Sequence, residues 1–280
     1  MNNLDIKTIV RKIKSLTNND PFKYLEAQST WFSESFVSLE HKDRYPYITG
    51  EFDSFFFDKS ISKLEKEVGL KFVVNNELKQ QGHDRKKSAK WIIKTWGGIR
   101  GIKDSSIQDI VENLDKQEFL YKNISSWSKV LSFKNIDNDV IYDSKAIYSL
   151  NWLLLHLNNP TKYFVQPEGR NRKLIAFPIN AIINFRHSKL INLEKRGEKA
   201  IENVYYKSDE VYIKYREIVR LINLEIWDNK YIDLTKLVGH KVYLKDYSFF
   251  TELLLFNMAD DVIVTDVQNN VSISYKYEEL

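Results

Sequence analysis

Residues 123–157 read NISSWSKVLSFKNIDNDVIYDSKAIYSLNWLLLHL, and the pattern of this stretch decides the predicted fold. A helix is predicted over 125–133, and a polar loop follows it. Asp143 then opens a second helix over 143–157, in which apolar residues recur at helical spacing. The members of this predicted core face are Ala146, Ile147, Leu150, Leu153 and Leu154. The stretch therefore predicts two consecutive helices with an aspartate at the start of the second.

The turn before the first of these helices has the character of a phosphate-binding site. Asn123 tolerates left-handed backbone angles, and Ser125 or Ser126 can cap the helix that follows. Unpaired backbone amides at a helix start attract phosphate, and Lys122 and Lys129 add positive charge nearby. We therefore predict that Asn123, Ser125, Ser126 and Lys129 contact a nucleic-acid backbone.

Helical periodicity extends through most of the chain on both sides of this stretch. It is clear over 4–16, 179–193 and 204–224, and glycine and proline are scarce, with 9 and 5 residues. Residues 70–74 form either a short strand or a helix end, and residues 262–277 alternate like one or two edge strands or an extended tail. The predicted fold class is mainly α, a multi-helix bundle with room for a few short edge strands.

Length and composition set the class of protein. The 280 residues suffice for one large domain or two small ones, and 43% hydrophobic with 29% charged residues is typical of a globular chain. The sequence divides into an N-terminal helical region (1–103), a core (104–200) and an acidic helical region (201–280) expected to pack on the same body. No signal core and no bilayer-length apolar stretch is seen, so we expect a cytoplasmic protein without a membrane partner.

The absence of cysteine excludes several kinds of site. It excludes disulfides, cysteine-bound zinc, iron–sulfur clusters and a thiol nucleophile. The five histidines include no pair at metal-ligand spacing, and there is no nucleophilic-serine motif. We therefore expect no metal and no cofactor, and we favour a carboxylate as the catalytic group.

The net charge of +4 is distributed unevenly along the chain. Residues 84–103 carry seven basic side chains and one acidic, and residues 162–199 carry nine basic and three acidic. These two basic segments mix arginine with aromatic residues and glycine, which is typical of surfaces that bind nucleic acid. A solvated, lysine-rich surface without a ligand is the alternative interpretation.

Turns within the basic segments carry cations that can reach phosphates. Arg100 lies in a Gly-Gly-Ile-Arg-Gly turn, where glycine allows the backbone to approach a ligand closely. Arg170, Arg172 and Lys173 lie together in a predicted exposed loop. We predict that these four side chains contact DNA, and structural turns without a ligand are the alternative.

The stretch around Asp143 resembles the helix-hairpin-helix DNA glycosylase superfamily over about 40 residues. In that family a hairpin between two helices holds a DNA phosphate, and the chain then passes through a helix and a short loop to an essential aspartate. Here Trp127–Phe133 is similar to the helix after the hairpin, Asn135–Val140 to the loop, and Ile141–Ala146 to the aspartate and its surroundings. The chain departs from the family in the hairpin, because Tyr121–Ser125 contains no glycine.

The resemblance implies a DNA-binding enzyme that hydrolyses the N-glycosidic bond of a damaged or modified base, in repair or in anti-phage defence. It implies Asp143 as the catalytic carboxylate. Bifunctional members carry a Schiff-base lysine at a set distance before that aspartate. Lys122 lies just outside this window, so it is the second catalytic candidate and a monofunctional enzyme is favoured. Trp127 and Tyr142 are candidates to stack on a flipped base, and the expected partner is double-stranded DNA.

Two other functions remain open from the sequence. The first is a non-catalytic nucleic-acid-binding or host-defence module on the same scaffold, in which Asp143 is only a helix cap. The second is a metal-dependent nuclease, because Glu77 and Lys79 follow a β-like run, with Asp53 and Asp58 upstream.

Overall fold

The computed structural model of the protein describes residues 3–29, 51–80, 84–115, 121–157, 162–167, 171–188 and 204–272. Most regular structure in these ranges is helical, and the sheet that they contain has two strands. The prediction of a mainly α fold is therefore confirmed. Within the described ranges, no helix combines the length and the apolar character needed to cross a membrane.

The N-terminal part contains α1 (Asn3–Leu16), α2 (Pro21–Gln28), α3 (Glu51–Phe57), α4 (Lys63–Lys79), α5 (Arg85–Lys90), a first π-helical segment (Trp91–Trp96) and α6 (Asp104–Asn113). A 3-10 turn (Tyr121–Asn123) leads into α7 (Ile124–Lys134), which is followed by α8 (Ser144–Leu155). The C-terminal part contains α9 (Arg172–Ala176), α10 (Ile179–Arg186), α11 (Val211–Ile226), β1 (Tyr231–Asp233), α12 (Thr235–Val238), β2 (Lys241–Tyr243), a 3-10 turn (Leu244–Asp246), α13 (Phe249–Met258), a second π-helical segment (Ala259–Ile263) and α14 (Val264–Asn270).

Helix α8 lies in the core, because every residue from Ala146 to Leu154 is buried. Helix α13 packs along α8, and Ser149 Oγ donates a hydrogen bond to the Leu255 carbonyl at 2.7 Å. Helix α1 packs against α11 and also contacts α8. A helix that is buried on all sides needs apolar residues around its whole circumference, as this one has. Helices that are distant in sequence therefore pack together around α8.

The structure confirms the two helices predicted over 125–133 and 143–157, because α7 and α8 cover them. The strand considered for 70–74 is wrong, since these residues lie inside α4. Helix α4 is buried on more than one side, so its sequence shows a continuous apolar run instead of a helical stripe. Since Glu77 and Lys79 also belong to α4, they follow no strand, and the arrangement behind the nuclease alternative is not present.

The edge strands predicted over 262–277 are also wrong through Asn270, where the chain is helical. Ile263, Val264 and Val267 face the core at helical spacing, which the alternating pattern concealed. The two strands lie earlier, in an antiparallel pair that places Tyr231 opposite Tyr243. Residues 273–277 lie outside the described ranges, and the three-region division of the chain stays a prediction.

Candidate active site

A cavity of about 610 Å³ lies between α4, α7, the start of α8 and α13. Its charged lining residues are Glu67, Lys71, Lys129, Asp143, Lys145, Glu252 and Asp260. Its aromatic lining residues are Trp96, Phe133, Phe249 and Phe256. The cavity thus combines planar apolar surfaces with a few converging charged groups, which is typical of a site for a small polar ligand.

Asp143 is held at the cavity wall by two hydrogen-bond donors. It is the N-cap of α8, and its Oδ1 accepts a hydrogen bond from the Lys145 amide at 2.9 Å. Its Oδ2 accepts a hydrogen bond from Lys129 Nζ at 3.3 Å. The Asp143 side chain is 20% exposed, and that of Lys129 is 7% exposed. A carboxylate of fixed orientation therefore faces the cavity from a wall that is largely shielded from water.

Hydroxyl groups of α7 fix the segment that leads to Asp143. Ser128 Oγ accepts a hydrogen bond from the Tyr142 amide at 3.0 Å. Ser125 Oγ donates a hydrogen bond to the Tyr142 carbonyl, also at 3.0 Å. Because both backbone groups of Tyr142 are paired in this way, the extended run before α8 is attached to α7 at two points. This attachment places the Asp143 carboxylate within reach of the lysine on α7.

The Lys129 side chain passes close to the backbone of Gly97, which follows the first π-helical segment. A Cβ atom at Gly97 would lie 2.7 Å from Lys129 Cδ and 2.8 Å from the Ile92 carbonyl oxygen. Neither contact is sterically acceptable, and the second one involves backbone that cannot rotate away. The absence of a side chain at Gly97 therefore leaves the space that the Lys129 stem occupies on its way to Asp143.

We expect Gly97→Ala to destabilise the protein by about 1–3 kcal/mol, because the added methyl overpacks this site. The displaced Lys129 stem should also weaken the pair with Asp143. Gly101→Ala is the matched control, since a Cβ atom there meets nothing within 4 Å. Denaturant unfolding measures both variants, and equal stability of the two would contradict the close packing at Gly97.

Three further ionisable side chains face the same cavity. Lys71 on α4 is buried, and its Nζ lies 3.4 Å from Ser132 Oγ and 4.7 Å from the centroid of the Phe249 ring. Glu252 on α13 is 4% exposed, and Glu67 lies one helical turn before Lys71. The aromatic face and the hydroxyl both stabilise an ammonium group where water is scarce. A buried acid, a half-buried acid and a buried base therefore share one cavity.

Burial shifts the pKa of each of these three groups toward its neutral form. It raises the pKa of Glu67 to about 7, with the Lys71 charge opposing the shift. It raises the pKa of Glu252, while Lys71 and Lys129 oppose the shift and Asp143 adds to it. It lowers the pKa of Lys71, which the two glutamates oppose and Lys129 reinforces. Burial in this cavity therefore favours the uncharged form of all three groups.

One rim of the cavity is built by α9 and the second π-helical segment. Asp260 Oδ2 accepts from Lys145 Nζ at 2.8 Å and from Asn171 Nδ2 at 2.9 Å. Lys173 Nζ donates to the Asp260 carbonyl at 2.9 Å, and the neighbouring Arg172 is exposed. Two of the cations that the sequence predicts to contact DNA therefore lie beside the cavity.

The other predicted DNA contacts are more scattered. Arg100 is exposed and follows Gly97 closely in the chain, so it lies near the cavity wall without lining it. Lys122 is exposed at the 3-10 turn before α7 and does not line the cavity. Asn123 is the N-cap of α7, and its side chain makes no capping hydrogen bond. Arg170 lies outside the described residues.

The prediction that Ser125 or Ser126 caps α7 is wrong. The helix already begins at Ile124, so both serines lie in its first turn. Ser126 is buried, and the Ser125 hydroxyl donates a hydrogen bond to the Tyr142 carbonyl. Because both side chains face protein, any contact of this turn with a phosphate would have to come from backbone amides.

Trp127 and Tyr142 are both buried in the core and do not line the cavity. The Trp127 ring packs edge-on against Tyr212 with 4.9 Å between centroids. Tyr142 packs against Tyr215 at 5.2 Å, and its hydroxyl donates to the Val165 carbonyl at 2.7 Å. The aromatic faces that do line the cavity are those of Trp96, Phe133, Phe249 and Phe256.

Lys71, Glu67 and Glu252 are among the cavity residues that sequence reasoning missed. Lys71 and Glu252 are single charges inside apolar runs, Gly-Leu-Lys-Phe-Val and Phe-Phe-Thr-Glu-Leu-Leu-Leu. A charged residue in such a run must find a buried partner or a cavity, because an isolated buried charge is costly. That signal could have selected both residues, although it does not reveal that they meet.

In the described part of the chain, no group of three or more histidine, aspartate or glutamate residues is placed to hold a metal ion. Comparison of the chain with protein-family models, with curated proteins and with solved structures gives no match. The function must therefore be argued from the geometry of the cavity itself.

Proposed function

We propose that the protein binds duplex DNA and hydrolyses the N-glycosidic bond of a damaged or modified base, with Asp143 as the catalytic carboxylate. The observation that carries this proposal is the position of Asp143 in the cavity wall. It is fixed by the Lys145 amide and by Lys129 Nζ, and it is open to a ligand.

The chemistry of this reaction needs what the Asp143 site offers. Breaking the bond between the sugar and the base builds positive charge on the deoxyribose. A carboxylate that is already oriented and poorly solvated stabilises that charge without having to reorganise, and it can also orient the attacking water. The Lys129 contact restrains the carboxylate, so that little side-chain entropy is lost when substrate binds.

The remaining cavity walls suit a base that has left the duplex. Trp96, Phe133, Phe249 and Phe256 offer planar apolar surfaces, and a flipped base is commonly held against such side chains. A cavity of about 610 Å³ lies within the range that small-molecule sites occupy. The charged groups between these rings can contact the polar edge of the base.

Positive charge close to the cavity supports the choice of DNA as the partner. Arg172 and Lys173 lie on the rim, and exposed Arg100 follows the turn whose Gly97 lines the cavity. Cations around a concave site position a polyanion by contacting its phosphates. These contacts would hold the backbone while one nucleotide enters the cavity.

The position of Lys122 supports a monofunctional enzyme that uses water. Lys122 is exposed and lies outside the cavity lining, so it is poorly placed to attack a sugar that Asp143 contacts. The base that is removed would distinguish a role in repair from a role against phage with modified DNA.

The test is incubation of the protein with duplexes that each carry one damaged or modified base, followed by detection of abasic sites. We expect abasic strands from at least one duplex, and binding that weakens as salt is added. An absence of product from every duplex would overturn the proposed hydrolysis, and binding that does not respond to salt would overturn the proposed contact with DNA phosphates.

A non-catalytic nucleic-acid-binding module is the second candidate, and one observation favours it. The Asp143 side chain caps α8 through the Lys145 amide, which is a sufficient structural reason for an aspartate at this position. Salt-dependent binding of duplex DNA without any base release would select this function.

A further inference from the structure

We propose that Glu252 is the general acid of this cavity and that it donates a proton to the departing base. This inference rests on the proposed function, because it assigns a second role within the same reaction. Glu252 lines the cavity that Asp143 lines, but it comes from α13 on a different wall. Two carboxyl groups on different walls can therefore act on the two sides of one scissile bond.

The surroundings of the two carboxyl groups differ in the way that the two roles require. Asp143 accepts hydrogen bonds from the Lys129 ammonium group and from the Lys145 amide at the helix start. Glu252 is 4% exposed and, among the described residues, forms no salt bridge within 4.0 Å. Burial of a carboxyl group disfavours its charged form, and the protonated form is the one that an acid catalyst needs.

The groups that face Glu252 come from every side of the cavity. Lys71 lies on α4, Lys129 lies on α7, and Asp143 lies at the start of α8. The backbone amide of Ile141 and the Tyr215 hydroxyl group on α11 complete the set of neighbours. Burial is the largest influence on the Glu252 pKa and raises it, the two lysines and the Ile141 amide lower it, and Asp143 raises it. Glu252 therefore keeps its proton to higher pH than an exposed glutamate does.

The bond between C1′ of the sugar and a ring nitrogen of the base breaks, and the electron pair leaves with the base. The Glu252 carboxyl transfers its proton to that base, which departs neutral. Water adds to C1′ with Asp143 facing the cationic sugar, and the proton that this water loses restores the Glu252 carboxyl. The net reaction is addition of one water across the N-glycosidic bond, and no oxidant or reductant is required.

The experiment measures single-turnover base release from pH 5 to pH 9 for wild type, Glu252→Gln, Glu252→Asp and Glu225→Gln. Glutamine keeps the size of the side chain and cannot donate this proton, so we expect a rate loss of about 10²-fold or more. The wild-type rate should fall as pH rises above the Glu252 pKa, and this alkaline decline should be missing in Glu252→Gln. Glu252→Asp should restore part of the rate and the decline. Glu225 is exposed on α11 and serves as the matched control with unchanged activity.

A second measurement needs no substrate. The folded state holds the Glu252 proton to higher pH than the unfolded chain does, so the wild type loses stability as pH rises through this range. The melting temperature of Glu252→Gln relative to wild type should therefore increase between pH 5 and pH 8. A constant difference across this range would show that Glu252 holds no proton at neutral pH, and it would overturn the inference.

The outcomes separate the two proposals. If Asp143→Asn is inactive while Glu252→Gln keeps the wild-type rate and pH profile, the general acid is refuted and the proposed function stands. If the wild type releases no base from any duplex, the proposed function fails, and the role of Glu252 fails with it. Loss of rate together with loss of the alkaline decline supports both.

Discussion

Asp143→Asn is expected to lower the rate of base release by about 10³-fold, because asparagine carries no charge to stabilise a cationic sugar. The fold should be retained. Asparagine is as good an N-cap as aspartate, so its side-chain oxygen can still accept the Lys145 amide and keep α8 in place. The substitution therefore separates the charge of Asp143 from its structural role. Single-turnover assays give the rate, and the melting temperature reports on the fold.

Asp20→Asn is the matched control for this prediction. Asp20 is the N-cap of α2, where its carboxylate accepts the Lys23 amide at 3.1 Å, and it does not line the cavity. The same chemical change there should leave base release within about twofold of wild type, since neither charge nor shape of the cavity is altered. If Asp143→Asn were as active as Asp20→Asn, Asp143 would be no more than a helix cap.

The largest effect on stability is expected from Asp139→Ala. Asp139 is buried between α7 and α8, and its side chain is 4% exposed. Its Oδ1 lies 3.0 Å from Arg216 Nη1 and 3.1 Å from the Tyr212 hydroxyl, and its Oδ2 accepts from Asn135 Nδ2 at 3.0 Å. Removing the carboxylate takes this acceptor from Arg216 and Asn135, whereas the Tyr212 hydroxyl keeps the Val140 carbonyl at 3.0 Å. We expect a loss of about 3 kcal/mol in the free energy of unfolding.

Asp137→Ala provides the comparison, because Asp137 is exposed in the same loop two residues earlier. It should change the free energy of unfolding by no more than about 0.5 kcal/mol. Denaturant titration of both variants measures the difference. A loss for Asp139→Ala as small as that for Asp137→Ala would contradict the view that Asp139 joins α11 to the segment that leads to Asp143.

The sequence was sufficient to predict α7, α8 and the position of Asp143 because the relevant signals there are local. A polar loop, an aspartate and an apolar helical repeat are all contained within 35 consecutive residues, 123–157. The same local reasoning failed at 70–74, because burial of α4 on several sides removed the alternation between polar and apolar positions. Periodicity identifies an element with one buried face more securely than a fully buried one.

The composition of the cavity could not be predicted in the same way. Lys71, Lys129, Asp143 and Glu252 come from four different elements, and their proximity depends on how α4, α7, α8 and α13 pack. No local pattern in the sequence predicts how these four helices pack. The family resemblance also suggested Trp127 as a stacking residue, whereas its indole packs edge-on against Tyr212 in the core.

The most direct test of the central claim is detection of the released base by mass spectrometry, alongside the abasic strand, for wild type and Asp143→Asn. The duplex panel carries one damaged or modified base per substrate. We predict that the wild type yields free base and abasic strand in equal amounts from at least one duplex, and that Asp143→Asn yields neither above background. Release of no base from any duplex by the wild type, or equal release by both proteins, would contradict the assignment of Asp143 as the catalytic carboxylate.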